Sequence, residues 1–254
     1  MIWRPSRRGL LLGAGVTALA GCDQLQRNPA IYDLIGAGEQ ATMNAQRAAL
    51  FAQPLAREFK PSDLSPTFRT NGSTMPVSEE YQRHLSEGFA NWRLTIGGLV
   101  NTPLSLSLAQ LRAMNTRTQI TRHDCVEGWS AIGQWSGVPL RALLISAAPL
   151  PQARFVVFHC ADDMERSADS SGRYYESIGL FDAFHPQTIL ALDLNGKPLP
   201  VGNGAPVRLR VERQLGYKQA KFVMAIELAS TLKQFGRGKG GYWEDRGYEW
   251  YAGI

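Results

Sequence analysis

"ITRHDCVEGWSAIGQWSGVPL", residues 120–140, sets a cysteine among charged and aromatic neighbours. Arg122 and His123 precede Cys125, and Glu127 and Trp129 follow it. Within and just before this stretch, "TQITRHDC" alternates as a half-buried strand does. At its far end "VPLRALLISAA" has helical spacing, with Pro139 near the first turn. Working outward, "WRLTIGGLV", "LSLSL", "RFVVFHC", "TILALDL", "APVRLRVE" and "KFVMAIEL" read as strands, and Asn195-Gly196 reads as a hairpin turn. Strands at uneven spacing, with a few helices among them and no internal repeat, predict an α+β fold. The tail "GRGKGGYWEDRGYEWYAGI" is too irregular for a core element and is expected to wrap the surface or cover a site.

The chain opens "MIWRPSRRGLLLGAGVTALAGC". A basic start is followed by an apolar run from Leu10 to Ala20, about half the length that spans a bilayer. "SRRGLL" resembles a twin-arginine signal, which exports folded proteins, and "LAGC" resembles a lipobox that would lipidate Cys22. The expected organisation is a signal over residues 1–21, a tether with an Ala/Gln-rich helical segment over 22–70, and one domain over 71–254. The protein is then an extracytoplasmic lipoprotein, with a lipid anchor and no membrane span. Removing residues 1–21 deletes three arginines and no acid, which takes the formal charge from +5 to +2. The basic pI thus owes much to the signal, and nucleic acid is not an expected partner. Export in the folded state points to a cofactor inserted beforehand.

With Cys22 assigned to lipid, Cys125 and Cys160 remain, and three readings stay open. An exported chain permits a disulfide between them. His123 and His159 flank the two cysteines, as zinc would want, although "HDC…HC" matches no zinc-finger spacing. The third is a single thiolate on a soft redox metal held mainly by an organic cofactor, with nearby cations keeping the sulfur deprotonated. Serine-type catalysis lacks a G-x-S-x-G, and a dinucleotide fold lacks a G-x-G-x-x-G placed after a strand.

"CVEGW" followed by "GVPL", "HPQT", "NGAPVRL" and "LGYKQAK" resembles, in order and spacing, the molybdopterin domain of the sulfite oxidase family over roughly residues 71–228. The resemblance is closest to the bacterial periplasmic branch typified by the catalytic subunit of protein-methionine-sulfoxide reductase. It implies a fold of mixed sheets with flanking helices, a Mo-molybdopterin cofactor, and Cys125 as the protein ligand to molybdenum. Asn71 stands where the family hydrogen-bonds the pterin. Thr74 and Met75 replace a Tyr-Glu pair, which implies backbone contacts there, and Cys160 falls on a threonine near the cofactor. Asn203, Arg208, Gln219, Ala220 and Lys221 complete the implied cofactor site. Arg208 would hold the terminal phosphate as a guanidinium fork, with Lys221 or Lys218 as a point charge.

His185-Pro186 is expected to be a structural turn, and Trp129 and Trp135 to be wall or core. The implied reaction is oxygen-atom transfer, with S-oxides or N-oxides such as methionine sulfoxide as substrates. Glu127 disfavours sulfite unless Arg122 and His123 face the substrate. A sulfite-oxidising enzyme and a non-catalytic binding lipoprotein are the alternatives. The resemblance also implies a b-type haem membrane electron donor, and too little chain follows Leu228 for a dimerisation domain, so a monomer is expected.

Overall fold

The computed structural model describes Ala41, Met43, Asn44, residues 54–165 and residues 172–254. The chain divides into two units, Met1–Pro54 and Leu55–Ile254, and two sheets make up the frame of the second. The signal and Cys22 lie outside the described residues; of the expected tether helix, Ala41, Met43 and Asn44 are described and are helical.

One sheet has the strand order β2-β1-β10-β5-β6. It comprises β1 (Arg93–Gly98), β2 (Leu104–Ser107), β5 (Phe155–Asp163), β6 (Arg173–Gly179) and β10 (Val223–Ala229). Only β1 and β10 run parallel; the other neighbours in this sheet are antiparallel. The continuous apolar run of "RFVVFHC" is explained by the place of β5 between β10 and β6, where side chains on both faces are buried.

The second sheet joins β3 (Arg117–Cys125), β4 (Trp129–Pro139) and β7 (Ile189–Leu194), all antiparallel. The free edge of β7 is shared by β8 (Lys197–Pro198) and β9 (Arg208–Arg210). Asn195 and Gly196 both adopt positive φ, 52° and 73°, as the expected hairpin turn requires. Among the described residues β4 is the longest strand. Neither it nor β6 is among the strands that the sequence pattern predicts.

Short helices connect the strands. Ser78 caps α1 (Glu79–Ser86), and Ser107 with Gln110 forms a capping box on α2 (Leu108–Ala113). α3 (Leu140–Ala147) starts directly after Pro139, as its sequence predicts, and α4 (Leu180–Ala183) follows β6. His185 sits in the turn after α4, where its Nδ1 accepts the Gln187 amide at 3.2 Å, in keeping with a structural role.

The main core includes Trp92, Leu94, Ile96, Val156, Phe158 and Ile226. Trp135 packs in a smaller cluster with Ile189 and Ala191, capped by the Phe68 ring at 5.0 Å. The tail is irregular in backbone yet not confined to the surface, since Tyr242 is buried in the main hydrophobic cluster. It is sewn down by Leu215 N–H to Ala252 O at 2.9 Å and by the Tyr217 hydroxyl to Glu249 O at 2.6 Å. Beneath it the fully buried Lys218 ammonium donates to Glu176 at 2.5 Å and to Glu244 of the tail.

Candidate active site

Cys125 ends β3, and the turn that carries it back into β4 is "CVEGW". Gly128 takes φ +85°, which a side chain rarely tolerates, and its N–H closes the turn on Cys125 O at 3.0 Å. A second loop, residues 71–73, lies against this turn through Gly72 N–H to Glu127 Oε1 at 3.1 Å. Lys221 fixes that loop from the other side. Its ammonium donates to Asn71 O at 2.6 Å, to Gly202 O at 3.0 Å and to Ser73 O. Between these pieces opens a cavity of about 220 Å³. Asn71, Ser73, Cys125, Glu127, Asp162, Gln219 and Lys221 give its polar lining; Met164, Tyr174, Tyr217, Trp243 and Tyr248 give its apolar and aromatic one.

Burial pushes the Cys125 thiol up and the Glu127 carboxylate adds to this, while the Glu127 backbone N–H, Arg208 and Arg69 oppose it. The helpful cations are therefore not the sequence neighbours. Strand alternation turns Arg122 outward, where it pairs with Asp124 at 3.0 Å. His123 points inward, fully buried; desolvation, Arg208 and Arg210 hold its pKa well below the usual imidazole range, so it is neutral. Its Nδ1 meets Arg210 at 3.0 Å. Gly216 approaches so closely that a Cβ there would lie 2.6 Å from His123 Nε2. His159 pairs with Glu227 at 3.0 Å.

These positions settle two of the three cysteine readings. Cys125 and Cys160 are both free thiols, which removes the disulfide. Among the described residues no three His, Cys, Asp or Glu side chains gather as a metal-ligand set, so zinc has no site there. A single thiolate needs no such set.

Of the residues singled out from sequence, Asn71, Cys125, Gln219 and Lys221 share the cavity. Asn203 and Arg208 are buried and joined to each other, Arg208 Nη1 donating to Asn203 O at 3.1 Å while Nη2 donates to Asn71 Oδ1 at 3.2 Å. Ala220 is buried, and its carbonyl accepts Leu209 N–H at 2.8 Å, tying β9 to the segment that leads into β10. Cys160 lies in the core on β5 and borders a separate cavity of about 510 Å³ that shares Tyr174 with the first. Thr74 and Met75 are exposed and are not among the residues lining either cavity. Lys218 is not available to a phosphate, because its charge is spent between two glutamates. Ser73, Asp162, Met164, Tyr174 and Tyr217 were not singled out; only Tyr217, inside "LGYKQAK", carried a signal that sequence could have used.

The wall behind Cys125 has unspent hydrogen-bonding capacity. Arg208 is fully buried, without a carboxylate in hydrogen-bond contact, and burial beside Arg210 lowers its pKa to about 9. Its Nε, Asn203 Nδ2, His123 Nε2 and Gln219 Oε1 have no protein partner. Gln219 approaches His123 and opposes the imidazole shift, but no well-formed hydrogen bond joins them. A buried guanidinium wanting an anion, flanked by amide and imidazole groups, fits a ligand with a phosphate and a heteroaromatic edge.

A family model, the oxidoreductase molybdopterin binding domain, matches residues 81–235. The chain belongs to this family. It is 38% identical over 201 residues to YedZ1 of Azospira oryzae, assigned as a protein-methionine-sulfoxide reductase subunit, covering 77% of this chain and 70% of that one. It is 37% identical to the protein-methionine-sulfoxide reductase catalytic subunit MsrP of Xanthomonas axonopodis over 56% of this chain and 46% of the relative. MsrP of Campylobacter jejuni is 35% identical, with 48% of its length matched, so the chain spans about half of these MsrP relatives. In structure it resembles the sulfane dehydrogenase SoxCD of Paracoccus pantotrophus, with a TM-score of 0.50 and 24% identity over 56% of this chain and 39% of that one. The expected α+β, sulfite-oxidase-type fold is thereby established. The protein is a molybdenum oxidoreductase, and its cofactor is Mo-molybdopterin. Among the described residues no helix is long and apolar enough to cross a membrane.

Proposed function

We propose that this protein reduces neutral S-oxides or N-oxides, with methionine sulfoxide the leading substrate. Bound Mo-molybdopterin supplies two-electron redox chemistry and an acceptor for the oxygen atom. Cys125 is the metal's protein ligand in this reading. Arg208 takes the phosphate, Asn71, Asn203 and Gln219 meet the polar edge of the pterin, and Lys221 keeps the 71–73 loop in place. Cys160 and Ala220 back the site from the core.

The observation that carries the choice of substrate is Glu127. Its carboxylate lines the cavity beside Cys125, and hydrogen bonds from Trp129 Nε1 at 2.9 Å and from Gly72 N–H hold its pKa below the usual range. A fixed negative charge repels the sulfite dianion and leaves a neutral, dipolar oxide unpenalised. Arg122 and His123 do not compensate, the first paired outside and the second neutral. Met164, Tyr217, Trp243 and Tyr248 add an apolar wall suited to a thioether and its methyl group. The names of the relatives support the same substrate. Steady-state assays with a dye donor against a sulfoxide panel, and with a dye acceptor against sulfite, test the reading. Sulfoxide turnover with poor sulfite oxidation is expected; efficient sulfite oxidation without sulfoxide activity overturns it.

The reading extends to the whole chain: a signal over 1–21, a tether over 22–70 anchored by lipid on Cys22, and a monomeric catalytic domain over 71–254 on the extracytoplasmic side. Electrons come from a b-type haem membrane protein. Replacing Arg7 and Arg8 by lysine should hold the protein in the cytoplasm, and Cys22→Ala should release it in soluble form. Export of the double-lysine variant would instead indicate the general secretory route.

A further inference from the structure

Asp162 is not among the residues that would hold the cofactor. It is the penultimate residue of β5, 3% exposed, and lines the same cavity as Cys125. Its Oδ2 accepts the Ser73 hydroxyl at 2.9 Å, while Oδ1 is buried and has no partner in the protein. The nearest cation cannot fill the gap. Lys221 has three ammonium protons and gives them to three carbonyls. The other acid of the cavity is differently placed, since Glu127 has both oxygens engaged, by Gly72 and Trp129. Asp162 therefore lines the cavity as a carboxyl group with one oxygen left without a partner in the protein.

We infer that Asp162 is the acid that delivers a proton to the oxygen leaving the substrate, an inference that rests on the S-oxide reading. Reducing a sulfoxide breaks the S–O bond and consumes two electrons, which bound Mo-molybdopterin would supply, and two protons, releasing water and the sulfide. Asp162 gives the first of these protons; solvent gives the second through the open mouth and then reprotonates the carboxylate. Its environment suits the task. Burial raises its pKa to about 6, with Asp163 adding to the rise and Ser73 and Lys221 holding it back. The remaining titratable groups that sense its charge are Cys160 on its own strand, Tyr81 on α1 and Tyr174 on β6. All three stay neutral near pH 7, because their pKa values are raised. A general acid with a pKa near the working pH contributes about 10² to 10⁴ in rate.

The direction of the pH dependence is set by the acid's role. Protonated Asp162 is the active form, so kcat/KM for sulfoxide should be level below about pH 6 and fall as pH rises through that value. The test uses the holoenzyme and its Asp162→Asn and Ser73→Ala variants. Asp162→Asn should keep wild-type molybdenum and pterin content, lose roughly a hundredfold or more in kcat/KM, and lose the falling limb. Added small carboxylic acids should partly rescue it. Ser73→Ala removes a hydrogen bond that favours the carboxylate, so its limb should move to higher pH. An Asp162→Asn enzyme with the wild-type limb overturns the inference. So does a variant that has lost the cofactor, because Asp162 would then be a binding residue. A wild-type enzyme that oxidises sulfite and leaves sulfoxides untouched would sink the substrate reading instead, which separates the two failures.

Discussion

At the scale of single residues the site rests on one sulfur and on the groups that set its surroundings. Cys125 is half-buried at a strand end, and a hydroxyl occupies that position without disturbing β3 or the turn. Cys125→Ser should therefore fold normally. An alkoxide is a harder and poorer ligand to molybdenum than a thiolate. Molybdenum content should fall sharply, and activity should fall with it; metal analysis and a dye-linked assay check both. Full turnover with unchanged molybdenum would end the ligand assignment. That Cys125 would lie at a cavity was legible because its flanking motifs keep their order along the chain. Its electrostatics were not: adjacency suggested Arg122 and His123, but the two-residue period of a strand sends one outward and buries the other. The cations that do act on the sulfur, Arg208 and Arg69, are distant in sequence. Asp162 left no trace in the sequence, because an acid at the end of an apolar strand reads as the strand simply stopping.

At the scale of elements, most strands announced themselves by alternation or by apolar runs, and the failure at β4 has a physical cause. "SAIGQWSGVP" contains Gly133 and Gly137, and glycine weakens strand propensity. The fold needs both. A Cβ on Gly133 would lie 2.9 Å from the Phe68 ring, and one on Gly137 would lie 2.0 Å from Leu190 O and 2.6 Å from Ala191 Cα. The same residues that hide the strand let β4 pack against its neighbours at the bulge between Ser136 and Gly137. Gly137→Ala confronts backbone rather than a movable side chain. It should cost about 1–3 kcal/mol or more, seen as a lower denaturation midpoint, and should also depress cofactor loading, since β4 supports the turn bearing Cys125. Gly196→Ala is the control, because open space surrounds that position and only the positive φ is strained. Equal losses in the two variants would mean that the close approach at Gly137 is not what β4 depends on.

For the molecule as a whole, the cavity wall is a fold built around a charge it does not itself balance. Arg208 and Arg210 both lie over Trp135, at 5.3 and 4.4 Å from the ring. Arg210 is matched by Glu212 through contacts of 2.9 and 2.6 Å, whereas Arg208 has only the carbonyl of Asn203 and the amide oxygen of Asn71. A buried cation without a counter-ion destabilises the cofactor-free protein, and an anionic cofactor repays that cost on binding. Protein purified from cells unable to make molybdopterin should therefore melt below the loaded form. Arg208→Met removes the unmatched charge and keeps much of the volume. The variant should leave the empty protein as stable as wild type or more so, while weakening the loaded form by the loss of a charge-assisted contact worth about 1.5–3 kcal/mol. For a domain of this size each kcal/mol is about 2–4 °C, so the gap between empty and loaded melting temperatures should close by on the order of 5 °C. Scanning calorimetry of the four samples reads this directly. If Arg208→Met lowered both forms by the same amount, its hydrogen bonds to Asn71 and Asn203 would be serving the fold alone, and the phosphate would have to be held by some other group.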